Sequence, residues 1–223
     1  MPRGRCRALF LILCGLISLG AQESAPAPAE VALQRIVAQQ QQHSTAVGRL
    51  QRTVSQAAFP NDPPARWDVR LWLRAPDHYR IRLSQEDDGS YEGFLSDGVT
   101  RWRVEKLFPE DPPEISAQPV DRDGSVWRTL GALLPLDQSA LQEDFRFQPE
   151  LVDDGLRLRL VPVDAGIAEH LQFLDLHFTA DDRLAGFEFL DQDGNREVWT
   201  VHELSYPEIL PDAVFTPEWQ PES

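Results

Sequence analysis

Residues 71–83 read LWLRAPDHYRIRL, and how this stretch is read decides the fold. Leu71, Leu73, Ala75, Tyr79, Ile81 and Leu83 form one alternating set, and Trp72, Arg74, His78, Arg80 and Arg82 form the other. Successive side chains of a strand point to opposite faces, so the stretch is two strands with a greasy face backed by a basic one. The Ala-Pro-Asp sequence at 75–77 supplies the turn between them.

The same period of two continues on both sides. Candidate strands cover 49–57, 66–74, 78–84, 91–96 and 99–106, with turn chemistry in EDDGS (86–90) and SDGV (96–99), so they make an antiparallel meander. With Asp97-Gly98 as a two-residue loop, Leu95 faces Thr100, Gly93 faces Trp102 and Tyr91 faces Val104. That places Tyr91, Leu95, Trp102 and Val104 on one face and Arg101 and Arg103 on the other.

Upstream, Val31, Leu33, Ile36, Val37 and Gln40 follow an i, i+3, i+4 spacing that predicts one amphipathic helix, with Gln39, Gln40, Gln41 and Gln42 on its solvated side. Downstream, after the proline- and acid-rich FPEDPPEISAQPVDRDGS, Trp127, Leu130, Leu133 and Leu134 suit a short helix capped at Ser125. Asp137 can cap a second that carries Leu141 before Phe145. Strands resume at GLRLRLVPV, LQFLDLHFT, LAGFEFLD and REVWTVHEL, and the proline-bearing end reads as an edge or extended tail. The fold class expected is α+β: nine or ten antiparallel strands with few helices.

Arg3, Arg5 and Arg7, a short apolar run and then Gly20-Ala21 have the layout of a secretory signal peptide. The expected organisation is a signal over 1–21, a Pro/Ala linker over 22–30 and one domain over 31–219. Cys6 and Cys14 both fall in the signal, so the exported domain has no disulfide and stands on its core. Lysine and arginine number 21 against 36 acidic residues, a net charge of −15. An acidic chain of this kind makes a poor partner for nucleic acid phosphates.

Catalytic chemistry finds no foothold in the motifs. Beyond the signal the chain has no cysteine and one lysine, Lys106, and it carries neither Gly-x-Ser-x-Gly nor His-Glu-x-x-His. His43, His78, His170, His177 and His202 are scattered, and the seven-residue spacing of His170 and His177 puts them on opposite faces of a strand. The Asp-Gly pairs in DRDG (121–124) and DQDG (191–194) read as turns, because Arg196 stands where a calcium loop requires glycine. The expectation is a protein without enzyme activity, metal or cofactor.

Several motifs, in order, resemble the LolA-type family of outer-membrane lipoprotein carriers: the helix after a signal, LWLRAPDHYRI, FLSDGVTRWRV, FEFLDQDGNREVW and FTP near the end. The resemblance spans 32–217, and the Ser96-Asp97-Gly98 to Trp102 hairpin is its most specific part. It implies an incomplete, curved β-barrel closed by the N-terminal helix and a short helical insert, and a hydrophobic cavity that shields acyl chains in the periplasm. It also implies acylated lipoproteins or lipid as cargo, an inner-membrane transporter as donor, an outer-membrane acceptor and a monomeric carrier. The cavity wall expected from register and resemblance together is Leu71, Leu73, Tyr79, Ile81, Leu83, Tyr91, Leu95, Trp102 and Val104. One position departs from the family pattern: Ala75 precedes Pro76 where the family has an inward arginine that latches lid to barrel.

A second reading, from a different class, is a sensor or interaction module on the same scaffold. It would dock an acidic partner through an Arg-rich outer face made of Arg74, Arg80, Arg82, Arg101 and Arg103.

Overall fold

The computed structural model describes residues 27–85, 90–108, 110–120, 136 and 138–217. Among them, eleven strands hydrogen-bond into one sheet: β1 (Thr45–Ser55), β2 (Ala65–Arg74), β3 (His78–Ser84), β4 (Tyr91–Asp97), β5 (Thr100–Lys106), β6 (Glu114–Pro119), β7 (Phe145–Val152), β8 (Gly155–Pro162), β9 (Leu171–Thr179), β10 (Leu184–Asp191) and β11 (Arg196–Ser205). Their spatial order is β6-β5-β4-β3-β2-β1-β11-β10-β9-β8-β7. Two meanders therefore join where β1 pairs antiparallel with β11, and the outermost strands β6 and β7 leave the sheet open. Both edge strands lay outside the expected set. Each contains a proline, Pro119 or Pro149, which an edge tolerates because it need not donate on both sides.

Three α-helices accompany the sheet among these residues: α1 (Pro28–Gln40), α2 (Gln138–Asp144) and the one-turn α3 (Ala165–Ala168). α1 begins inside the expected linker, with proline in its first turn and the Glu30 carboxylate accepting the Ala27 N–H at 3.2 Å. Its Leu33, Ile36 and Val37 are buried as the spacing predicts. Gln40 is buried too, and its Oε1 accepts the Tyr206 hydroxyl at 3.0 Å, so the glutamine tract is not wholly solvated. The predicted signal peptide and the predicted helix around Trp127 lie outside the described residues. No helix among those described is long and apolar enough to cross a membrane.

One buried cluster joins α1 to Leu50, Val69, Leu71, Ile81 and Leu83 of β1 to β3, to Leu141 of α2, and to leucines of β8 and β9. The face of the sheet that carries this cluster is the inner face. The opposite, outer face is treated differently along its length. Over β7 to β11 it carries ion pairs: Arg157 with Glu150, Arg159 with Asp175, and Arg196 with Glu188. Over β3 and β4 it is covered by the C-terminal segment, whose 3₁₀ helix (Asp212–Phe215) packs there with Phe215 only 2% exposed. The predicted tail is thus a strap laid across strands formed more than a hundred residues earlier.

Candidate functional site

Directly opposed residues of neighbouring strands share a face, so the register builds the site row by row. Leu50 pairs with Val69 and Val69 with Leu83; the next row runs Gly48, Leu71, Ile81, Phe94; a third runs Ala46, Leu73, Tyr79, Ser96. Leu71, Leu73, Tyr79, Ile81 and Leu83 accordingly stand together on the inner face. Leu71, Ile81 and Leu83 are buried, whereas Leu73, Tyr79 and Phe94 are half-buried against the same cluster. The site is dry enough that burial pushes the Tyr79 hydroxyl up to about 12, with the charge of Arg101 pulling the other way.

The other four residues of the expected wall lie on the opposite face. β3 and β4 pair Ser84 with Tyr91 and Arg80 with Leu95, which sets Leu83 opposite Glu92 and Ile81 opposite Phe94. Tyr91, Leu95, Trp102 and Val104 therefore share the outer face with Trp72, Arg80 and Arg82, and one cavity cannot be lined by both groups. Leu95 and Val104 are fully buried on that side, 0% and 1% exposed. The physical reason is the strap: a covered outer face needs apolar side chains of its own.

The β4–β5 hairpin also differs from expectation by one position. Its loop is Gly98-Val99, with Leu95 facing Trp102 and Gly93 facing Val104. Asp97 ends β4 and its Oδ1 accepts the N–H groups of Val99 and Thr100 at 2.9 and 2.8 Å. Gly98 takes the left-handed φ of 86° that the first loop position requires. The shift preserves which residues share a face within the hairpin.

The proposed docking arginines divide in the same way. Arg74 donates to the Leu210 carbonyl at 3.1 Å and to Asp212 at 2.7 Å, and its guanidinium stacks 4.8 Å from the Phe215 ring. Arg80 donates to the Val214 carbonyl at 3.3 Å, so both hold the strap. Arg82 lies over Tyr91 at 4.6 Å. Arg101 and Arg103 are on the inner face, where Arg103 contacts Glu92 at 2.8 Å and Glu105 at 2.6 Å. No single outer surface unites the five. Ala75 sits exposed in the β2–β3 turn, its N–H donating to the Ser44 carbonyl at 2.7 Å, and not on the inner wall.

Two parts of the inner face escaped the sequence reading. The first is its second half, where Leu156, Leu158 and Leu160 of β8 align with Phe178, Leu176 and Leu174 of β9, and Phe187 of β10 faces Trp199 of β11. The alternation in GLRLRL carried that signal. The second is a polar clamp on the seam between the meanders. Arg52 makes a bidentate pair with Glu197 at 2.9 and 2.8 Å, sits 4.8 Å over Trp67 and 5.8 Å over Trp199, and the indole of Trp199 donates to Glu197 at 2.6 Å. The inner face thus runs from aliphatic rows in its middle to charged groups at β5 and at the clamp. No group of three metal-ligating side chains comes together among the described residues.

No family model matches the sequence, and no curated protein matches it. Solved structures do. The chain is similar to a LolA superfamily protein from Nitrosomonas europaea, with a TM-score of 0.44 and 14% identity over 83% of this chain and 97% of that one. It is similar to a putative outer membrane lipoprotein-sorting protein domain from Vibrio parahaemolyticus, with a TM-score of 0.41 and 13% identity over 84% and 97%. A DUF1329 family protein from Desulfovibrio piger is similar with a TM-score of 0.39 and 10% identity over 86% and 98%.

Proposed function

We propose that this chain is a periplasmic carrier that shields the acyl chains of lipoproteins, or of another acylated lipid, on its way towards the outer membrane, and that it binds without catalysing a reaction. The observation that carries the reading is the amphipathic inner face. Aliphatic rows on β1 to β3 border half-buried Leu73, Tyr79 and Phe94, and next to these stand Glu92, Arg101, Arg103 and Glu105. Such a surface suits an amphiphile: acyl carbons along the aliphatic rows, and a polar head or peptide at the charged end. Each methylene taken from water is worth about 0.8 kcal/mol, so even a partly covered chain is held firmly. An open sheet with half-buried walls lets the same chain leave again.

The signal-like N-terminus supports export, and the LolA-type motifs support the direction of transfer. To test the reading, the mature protein is purified from the periplasm of a Gram-negative host, extracted with organic solvent, and the extract examined by mass spectrometry. A synthetic lipopeptide is then titrated into the delipidated protein. Acyl species in the extract and lipopeptide binding weakened by Leu73→Asp are expected. An empty extract together with no lipopeptide binding refutes the proposal.

A further inference from the structure

Among the described residues, Arg52, Arg101 and Arg103 are strand arginines of the inner face, and their surroundings differ. Arg52 is held by Glu197 at 2.9 and 2.8 Å, and Arg103 by Glu92 at 2.8 Å and Glu105 at 2.6 Å. The register gives half-buried Arg101 no such carboxylate. It is directly opposite Ser96 on β4 and Gln118 on β6, and its diagonal neighbours in the two ladders are Phe94 and Ser116, none of them charged. Along its own strand the next residue on this face is Arg103. Asp97, nearby in sequence, is turned to the hairpin loop, where it caps the N–H groups of Val99 and Thr100.

The row of Arg101 leads straight to the apolar wall. Ser96, 0% exposed, is directly opposite Tyr79, and Tyr79 is directly opposite Leu73. The Ser96 hydroxyl accepts the Gly98 N–H at 3.2 Å, and a hydroxyl that accepts keeps a proton to donate. The charge of Arg101 acts on the Tyr79 hydroxyl against the burial that raises it to about 12, so the guanidinium lies within electrostatic reach of the wall. Half-buried Leu73 and Tyr79 thus border a group of donors around one positive charge that no carboxylate in its ladders balances.

We infer that Arg101 receives the carboxylate of a fatty-acid-type amphiphile whose chain lies along Leu73 and Tyr79. This rests on the carrier reading and narrows its cargo to chains that end in a single negative charge. A guanidinium fork takes both oxygens of a carboxylate, and beside an apolar wall the pairing is stronger than in open water. Glu92 and Glu105, directly opposite each other further along the same strands, outnumber Arg103 between them and so disfavour a doubly charged phosphate.

The test titrates the delipidated mature protein by calorimetry with dodecanoate, 1-dodecanol and dodecyl phosphate, each below its micelle concentration and at slightly alkaline pH. Dodecanoate should bind at least about tenfold more tightly than dodecanol. Arg101→Gln should remove that preference while leaving dodecanol binding as it was, which also shows that the variant is folded. Arg101→Lys should keep part of the preference, and Arg157→Gln on the outer face should keep all of it. Equal binding of dodecanoate and dodecanol, or a preference that survives Arg101→Gln, overturns the inference while the carrier reading stands. Tighter binding of dodecyl phosphate than of dodecanoate overturns the assignment to a single charge, and no binding of any probe overturns both the inference and the carrier reading.

Discussion

Leu95→Ala separates the two faces of the sheet. Leu95 is 0% exposed and belongs to the outer side of β4, beneath the region where the 3₁₀ helix packs. Truncating a fully buried leucine removes its transfer free energy and leaves a cavity, a cost of about 3 kcal/mol. For a domain near this size, that lowers the melting temperature by roughly 6–12 °C. Because the side chain points away from the inner face, acyl binding by the folded protein should not change. Leu73→Ala, half-buried on the inner side, should do the opposite: a stability loss of about 1 kcal/mol and weaker binding of an acyl probe. Urea unfolding followed by tryptophan fluorescence gives the first quantity, and titration with a fluorescent fatty acid well below the transition gives the second. If Leu95→Ala weakened the probe tenfold while leaving the unfolding midpoint in place, Leu95 would line the cavity and the two-face assignment would be wrong.

Alkaline stability should depend on Tyr79. Its folded-state value is raised from 10.0 to about 12, so the folded chain keeps a proton that the unfolded chain loses. That contribution is complete below pH 10 and vanishes as pH rises towards 12; with the hydroxyl partly solvated, it amounts to about 1 kcal/mol. Urea midpoints measured across this window should fall less steeply for Tyr79→Phe, and equal slopes would refute the assignment. Arg159→Met should cost about 3 kcal/mol in urea unfolding, because Asp175, 3% exposed, loses a bidentate partner at 2.7 Å on both arms. Gly155→Ala should destabilise by at least about 2 kcal/mol or block folding, since Gly155 has φ 147° and an added Cβ would overlap the Phe178 carbonyl oxygen; an unchanged melting temperature would show that the β8 start can move.

Much of the architecture was legible because it rests on local rules. The expected boundaries of β3 and β9 coincide with the observed ones, since alternation and flanking turn residues act within a few positions. Within the β4–β5 hairpin even the face assignment held despite the one-position loop shift, because moving the loop by one residue keeps the alternation parity. β6 and β7 were missed for the same physical reason that allows them to exist: edge strands accept proline and exposed residues, and so look like connections. Gln40 was read as solvated because nothing near it in the chain announces Tyr206.

What the sequence determined by itself is which side chains stand together within each strand and hairpin, and that the product is an antiparallel sheet with one apolar face per strand. The tertiary structure alone decided how those faces match from one hairpin to the next. The pairing of Ser84 with Tyr91 sets whether the grease of β4 and β5 continues the inner wall or opposes it, and a change of one residue in that register would invert every side chain beyond it. The apolar side chains that this register turns outward are covered there by the 3₁₀ helix that carries Phe215, far along the chain. The arginines of residues 71–83 follow from this: Arg74 and Arg80 hold the strap, and Arg82 lies over Tyr91 on the same outer side.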